Sequence, residues 1–79
     1  MREGSKKHRV WVVTEGLLED NGQMHIDEML KTVGDSELFA GVSQPRARFA
    51  NLLSQYKALH LIESDNLGNY WLPNGKAAG

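Results

Sequence analysis

Apolar side chains recur along this chain at helical spacing in three stretches and at extended spacing in shorter ones. Val10, Val13 and Leu17, followed by Trp11 and Leu18, fall on one side of a helix. Ser5 stands ahead of them as a cap for the first free N–H groups. Asp20-Asn21-Gly22 follows with residues suited to left-handed backbone, so a helix is predicted from Lys6 to Glu19. Gly16 inside it costs about 1 kcal/mol relative to Ala, which marks a close helix contact. Ile26, Met29, Leu30 and Val33 repeat the pattern, with Asp27 and Glu28 in the first turn where the helix dipole favours negative charge.

The third stretch is the most regular. Phe49, Leu52, Leu53, Tyr56 and His60 fall at i, i+3, i+4, i+7 and i+11, so they share a narrow sector that must be buried. Ser43 is placed to cap, and Pro45 suits the first turn because its missing donor has no partner there. The spacing predicts a helix starting at Ser43 or Gln44 and reaching His60.

Extended segments surround these helices. Gln23-Met24-His25 is short and strand-like. Leu59 to Ser64 is β-compatible, Asp65 to Asn69 is dense in turn formers, and Tyr70-Trp71-Leu72 resumes a strand that Pro73 closes. A hairpin with a loop of four or five residues is expected. Between Val33 and Ser43, Ser36 to Ala40 fit a single extra turn bounded by Gly34 and Gly41, docking Leu38 and Phe39 onto the core.

Composition sets limits. The 79 residues, 41% hydrophobic, suffice for one small core and leave no room for a second domain. Cysteine is absent, so neither disulfides nor cysteine-ligated zinc can brace the fold, and an intracellular setting, cytoplasmic or nucleoid-associated, is expected. Neither a membrane-spanning run nor a signal-peptide core is present. His8, His25 and His60 lack metal-ligand spacing, and the scattered glycines form no phosphate-binding loop. No catalytic residue, cofactor or metal is expected, and the chain does not read as an enzyme.

Net charge is −1, but its distribution is uneven. Residues 1–9 carry Arg2, Lys6, Lys7 and Arg9 against Glu3, a balance of +3; residues 10–42 carry seven acids against Lys31, a balance of −6. Residues 43–62 carry Arg46, Arg48 and Lys57 with no acid. Local fields act within a Debye length of roughly 8 Å, so a near-neutral total still permits a positive face. On the predicted third helix, the side away from the apolar stripe carries Gln44, Ala47, Asn51, Ser54 and Ala58, with Arg48 and Gln55 at one flank. Small residues allow close approach to a groove, and Asn, Gln and Arg pair with base edges; the same residue types also suit a solvated face.

The order helix, short strand, helix, turn, helix, strand, loop, strand over residues 6–73 resembles the winged helix-turn-helix superfamily. The expected fold class is α+β, with three main helices, a short first strand and a C-terminal hairpin wing. The resemblance implies that residues 43–60 form a recognition helix in the major groove of double-stranded DNA and that the Asp65–Asn69 wing lies near the backbone or minor groove. Gln44, Arg48, Asn51 and Gln55 are the candidates for base edges. Ser43, Arg46, Lys57, Lys6, Lys7 and Arg9 are the candidates for phosphate. Arg46 and Lys57 have an alternative role, lying across the edge of the core.

At the wing tip, Asn66 and Asn69 are the available donors and Asp65 opposes phosphate, so the wing is expected to be mainly structural. Residues 1–5 read as a flexible arm, whose Arg2 either enters a minor groove or belongs to a solvated tail, and 74–79 as a flexible tail. The function implied is that of a small transcriptional or DNA-transaction regulator, alone or as one domain of a larger protein. The alternative is a winged-helix protein–protein interaction module without DNA binding, which exposure of Trp11 or Trp71 would favour, although both are expected in the core. A third reading combines the two, a DNA binder that forms a homodimer through its first helix or its wing.

Overall fold

A computed structural model describes residues 4–73. The arm residues 1–3, with the Arg2 reading, and the tail 74–79 lie outside the described residues. The fold is α+β. Helices α1 (Lys6–Asn21), α2 (Ile26–Val33) and α3 (Pro45–Ala58) pack with a three-stranded antiparallel sheet of β1 (Gln23–His25), β2 (Glu63–Ser64) and β3 (Asn69–Trp71). This is a winged-helix-like arrangement.

Local chemistry explains each boundary. The Ser5 hydroxyl accepts from the His8 N–H at 3.2 Å, and α1 stops where Gly22, at φ 79°, donates its N–H to the Leu18 carbonyl. Its buried face is Val10, Trp11, Thr14 and Leu18, with Val13 and Leu17 half-buried at the flanks. Thr14 tolerates full burial because its hydroxyl donates to the Val10 carbonyl at 2.8 Å. Gly16 contradicts expectation, since a Cβ built there meets nothing within 4 Å and no close contact within the chain explains it.

The predicted short strand forms and pairs as expected beside the hairpin. β3 is central, with Gln23, Met24 and His25 opposite Trp71, Tyr70 and Asn69, and Glu63 and Ser64 on its other side opposite Trp71 and Tyr70. His25 then caps α2, its Nδ1 accepting from the Asp27 N–H at 3.1 Å, while the Ile26 N–H donates to the Gly68 carbonyl at 2.8 Å. The start of α2 is thereby tied to the loop of the hairpin. Gly68 is required at φ 95°, because a Cβ there would lie 2.5 Å from His25 Nε2. The extra turn also forms, as a 3-10 turn over Glu37–Phe39 that buries Phe39 edge-on against Phe49 at 6.0 Å and 89°.

Three details of α3 depart from expectation. Ser43 does not cap it: the N-cap is Gln44, without a side-chain cap bond, and Ser43 lies exposed before the helix. Pro45 sets this start, since it fits N1 and holds the preceding residue out of helical geometry; Gln44 has φ −133° and ψ 75°. The helix ends at Ala58, not His60. His60 is exposed at φ 63°, with its N–H on the Lys57 carbonyl and the Leu61 N–H on the Tyr56 carbonyl, a Schellman closure with histidine where glycine is usual. Phe49, Leu52, Leu53 and Tyr56 are buried as the spacing requires. The strand expected from Leu59 is limited to Glu63–Ser64, because Leu59 to Leu61 are used in that closure.

Left-handed geometry at a non-glycine residue costs roughly 1–2 kcal/mol, partly offset in a glycine variant by greater unfolded-state entropy. His60→Gly is therefore expected to raise stability by up to about 1 kcal/mol, a gain of several degrees in Tm, whereas His60→Val should lower it. Thermal unfolding followed by circular dichroism checks the pair; a drop in Tm for His60→Gly would contradict the strain.

Candidate nucleic-acid interface

The exposed side of α3 presents Arg46, Ala47, Arg48, Asn51 and Ser54 to solvent, with Gln44 just ahead and Gln55 half-buried at the edge. Gln55 Nε2 lies 3.4 Å from Asn51 Oδ1, so the two amides sit side by side one turn apart. The start of α1 lies beside this face. Lys6, Lys7, Arg48, Asn51, Leu52 and Gln55 line one depression, and Lys6, Val42, Ser43, Gln44, Ala47, Arg48 and Asn51 line a second. The two share Lys6, Arg48 and Asn51 and so form one groove. All four base-edge candidates and Ser43, Lys6 and Lys7 from the phosphate set therefore come together.

The link between the helices is Tyr56. Its side chain is buried, its ring stacks at a tilt on Trp11 with centroids 5.1 Å apart, and its hydroxyl donates to the Lys7 carbonyl at 2.6 Å. Burial pushes the pKa of that hydroxyl well up, so it remains a donor at any ordinary pH. Lys6 is steadied from the other side, its ammonium 5.5 Å from the Phe39 ring centroid.

The remaining phosphate candidates have internal partners. Arg46 Nε donates to Asp27 Oδ1 at 2.8 Å, Arg9 lies 3.7 Å from Glu37, and Lys57 donates to Asn66 Oδ1 at 3.0 Å. Neither Arg46 nor Lys57 takes the alternative role across the core edge, since both are exposed and point to polar partners. Among the described residues no ion pair involves Lys6, Lys7 or Arg48. The three cations that line the groove are thus free of ion pairs, as is Lys31 on α2, away from it.

The wing spends its polar groups on itself. Asp65 accepts from the Leu67 N–H at 2.8 Å and from the Asn69 side chain at 2.8 Å, and Asn66 adopts φ 67° while accepting from Lys57. Asn66 and Asn69 are structural in this conformation. The Asn69 amide and then the Leu67 N–H hold the Asp65 carboxyl below its ordinary pKa.

No protein-family model, curated protein or solved structure matches the chain. The functional reading therefore rests on the groove and its charges. Among the described residues no His, Asp or Glu cluster suits a metal ion, and no helix is long and apolar enough to cross a membrane. Trp11 and Trp71 are both buried, so neither supplies an exposed interface anchor. Sequence spacing did not reveal the Asp27–Arg46 pair or the capping role of His25, because both depend on how α2 meets its neighbours.

Asp27 titrates below the ordinary carboxylate range, chiefly because the Arg46 guanidinium donates to its charged form. A lowered folded pKa gives stability that is present above the unfolded value and lost as pH falls through the folded one. Arg46→Ala is expected to move the Asp27 midpoint upward in an NMR titration. Its small effect on the urea midpoint at neutral pH should fade as pH drops below the ordinary carboxylate range. An Asp27 midpoint that does not move would contradict the pairing.

Proposed function

We propose that the chain is a winged helix-turn-helix module that binds double-stranded DNA, with α3 in the major groove, as part of a small transcriptional or DNA-transaction regulator. The observation that carries this reading is the single groove in which the unpaired cations Lys6, Lys7 and Arg48 flank the amides Gln44, Asn51 and Gln55. Amide and guanidinium groups are the side chains that pair bidentately with adenine and guanine edges, and Ala47 leaves room for the helix to approach. Lys6 and Lys7 stand where a phosphate strand bordering the groove would pass. Arg46 is a reserve contact, since it must leave Asp27 to reach phosphate.

The number of cations on phosphate sets the expected affinity profile. Lys6 and Lys7 as the phosphate-neutralising groups give a slope of log K against log salt near −0.9 × 2, about −2, hence a loss of roughly 12-fold between 50 and 200 mM salt. That is shallow for a DNA-binding protein, as an acidic chain requires. In a fluorescence-anisotropy titration with duplex DNA, Arg48→Ala is expected to weaken binding by about 1–3 kcal/mol, or roughly 5- to 150-fold. Lys7→Ala should reduce the salt slope by about 1, and Lys31→Ala, which deletes the same charge from α2, should change affinity far less. Absence of binding at low salt would overturn the reading in favour of a protein–protein interaction module.

A further inference from the structure

The outer face of α1 is unpartnered within the chain and is built unlike a solvated helix face. Val12 is 52% exposed, and beside it half-buried Val13 and Leu38 line an apolar depression bordered by His8, Arg9 and Glu37. A single exposed valine needs no explanation. Gly16, however, lies one turn on from Val12 on the same face, is exposed, and costs helix stability while nothing in the chain approaches it. A side-chain-free position next to an exposed apolar one lets a second helix come close. The face is also divided by charge, with Arg9 toward the start and Glu19 and Asp20, both exposed, toward the end.

We propose that this face docks a second copy of the same chain, α1 against α1, antiparallel about a two-fold axis between Val12 and Gly16. In an antiparallel pair centred there, each Val12 sits over Gly16 of the second copy, and Arg9 comes within reach of Asp20 and Glu19 of that copy. A parallel pair would place like charges together. The contact is isologous, so it closes at two chains and does not propagate. The Arg9–Glu37 contact, long at 3.7 Å and solvent-exposed on both sides, offers little resistance to this exchange. Lys7, Arg48 and the amides of α3 lie outside this face, and Lys6 stands between the two, bordering Arg9, Glu37 and Leu38 on one side and the groove on the other, so the dimer leaves the α3 side of each groove open. One helix face per copy is a small interface, and a Kd in the micromolar range is expected.

Sedimentation equilibrium of the full chain without DNA tests this directly. At a chain concentration on the order of 100 μM, well above a micromolar Kd, the expected mass is about twice 8.8 kDa. Val12→Glu and Gly16→Gln should each return the mass to one chain. Gly16→Gln fills open space in a helix, so its circular dichroism spectrum should remain folded and unfolding cannot account for the loss. Arg9→Glu should weaken the dimer, and adding Asp20→Arg to it should restore association. A wild-type mass of one chain, or a dimer untouched by Val12→Glu and Gly16→Gln, would overturn the proposal. Because no DNA is present, this result and that of the DNA titration are independent.

Discussion

The contact between Tyr56 and the first turn of α1 is what the rest of the molecule depends on. Tyr56 is 49 residues from Lys7 in sequence, yet its hydroxyl holds the Lys7 carbonyl at 2.6 Å while its ring covers Trp11. A carbonyl in the first turn of a helix already accepts from within the helix, and the phenol adds a second partner on its remaining lone pair. The buried hydroxyl is thereby satisfied, and its bond fixes where α1 begins relative to α3. One residue thus serves both the core and the surface. Without it the start of α1 would be placed against α3 only through the packing that both helices share with α2 and the rest of the core.

Charge is allocated with similar economy. An acidic chain of this size can present a positive face only if its acids are placed elsewhere or matched to cations that the face does not use. Asp27 holds Arg46, Glu37 lies near Arg9, and the wing asparagine Asn66 holds Lys57, so Lys6, Lys7 and Arg48 remain for the groove. Exposed pairs of this kind contribute little to stability. Their greater effect is on the field: Asp27 largely cancels the Arg46 charge at the distance of a ligand, whereas Lys57, held by the neutral Asn66 amide, keeps its own. The wing differs: exposed Asp65 accepts from the Leu67 N–H and the Asn69 amide, neutral donors that order the loop and leave its negative charge in place.

The elements that depend on local spacing were legible in the sequence. The three helices, the extra turn that buries Phe39, the short first strand and the hairpin follow from periodicity and turn chemistry, and the structure has them in that order. Errors arose where two local signals competed or where the deciding partner was remote. Ser43 is a good cap residue, but Pro45 fixes the first turn and moves the N-cap to Gln44. His60 continues the apolar spacing, yet the backbone turns left-handed there, and that spacing outweighed the readiness of histidine for the left-handed region. For the interface, the candidate residues of α3 were readable from its wheel. Their convergence with Lys6 and Lys7, and the loss of Arg46 to Asp27, were not, since both are set by how helices pack.

The central claim is that the start of α1 and the outer face of α3 form one surface that meets DNA. Titration of the isotope-labelled chain with duplex DNA at low salt, followed by NMR, tests it residue by residue. The account predicts that signals of Lys6, Lys7, Gln44, Ala47, Arg48, Asn51 and Gln55 move together, while those of Glu28 and Thr32 on the exposed side of α2 stay in place. Shifts confined to the wing, spread evenly over the molecule, or absent altogether would contradict it.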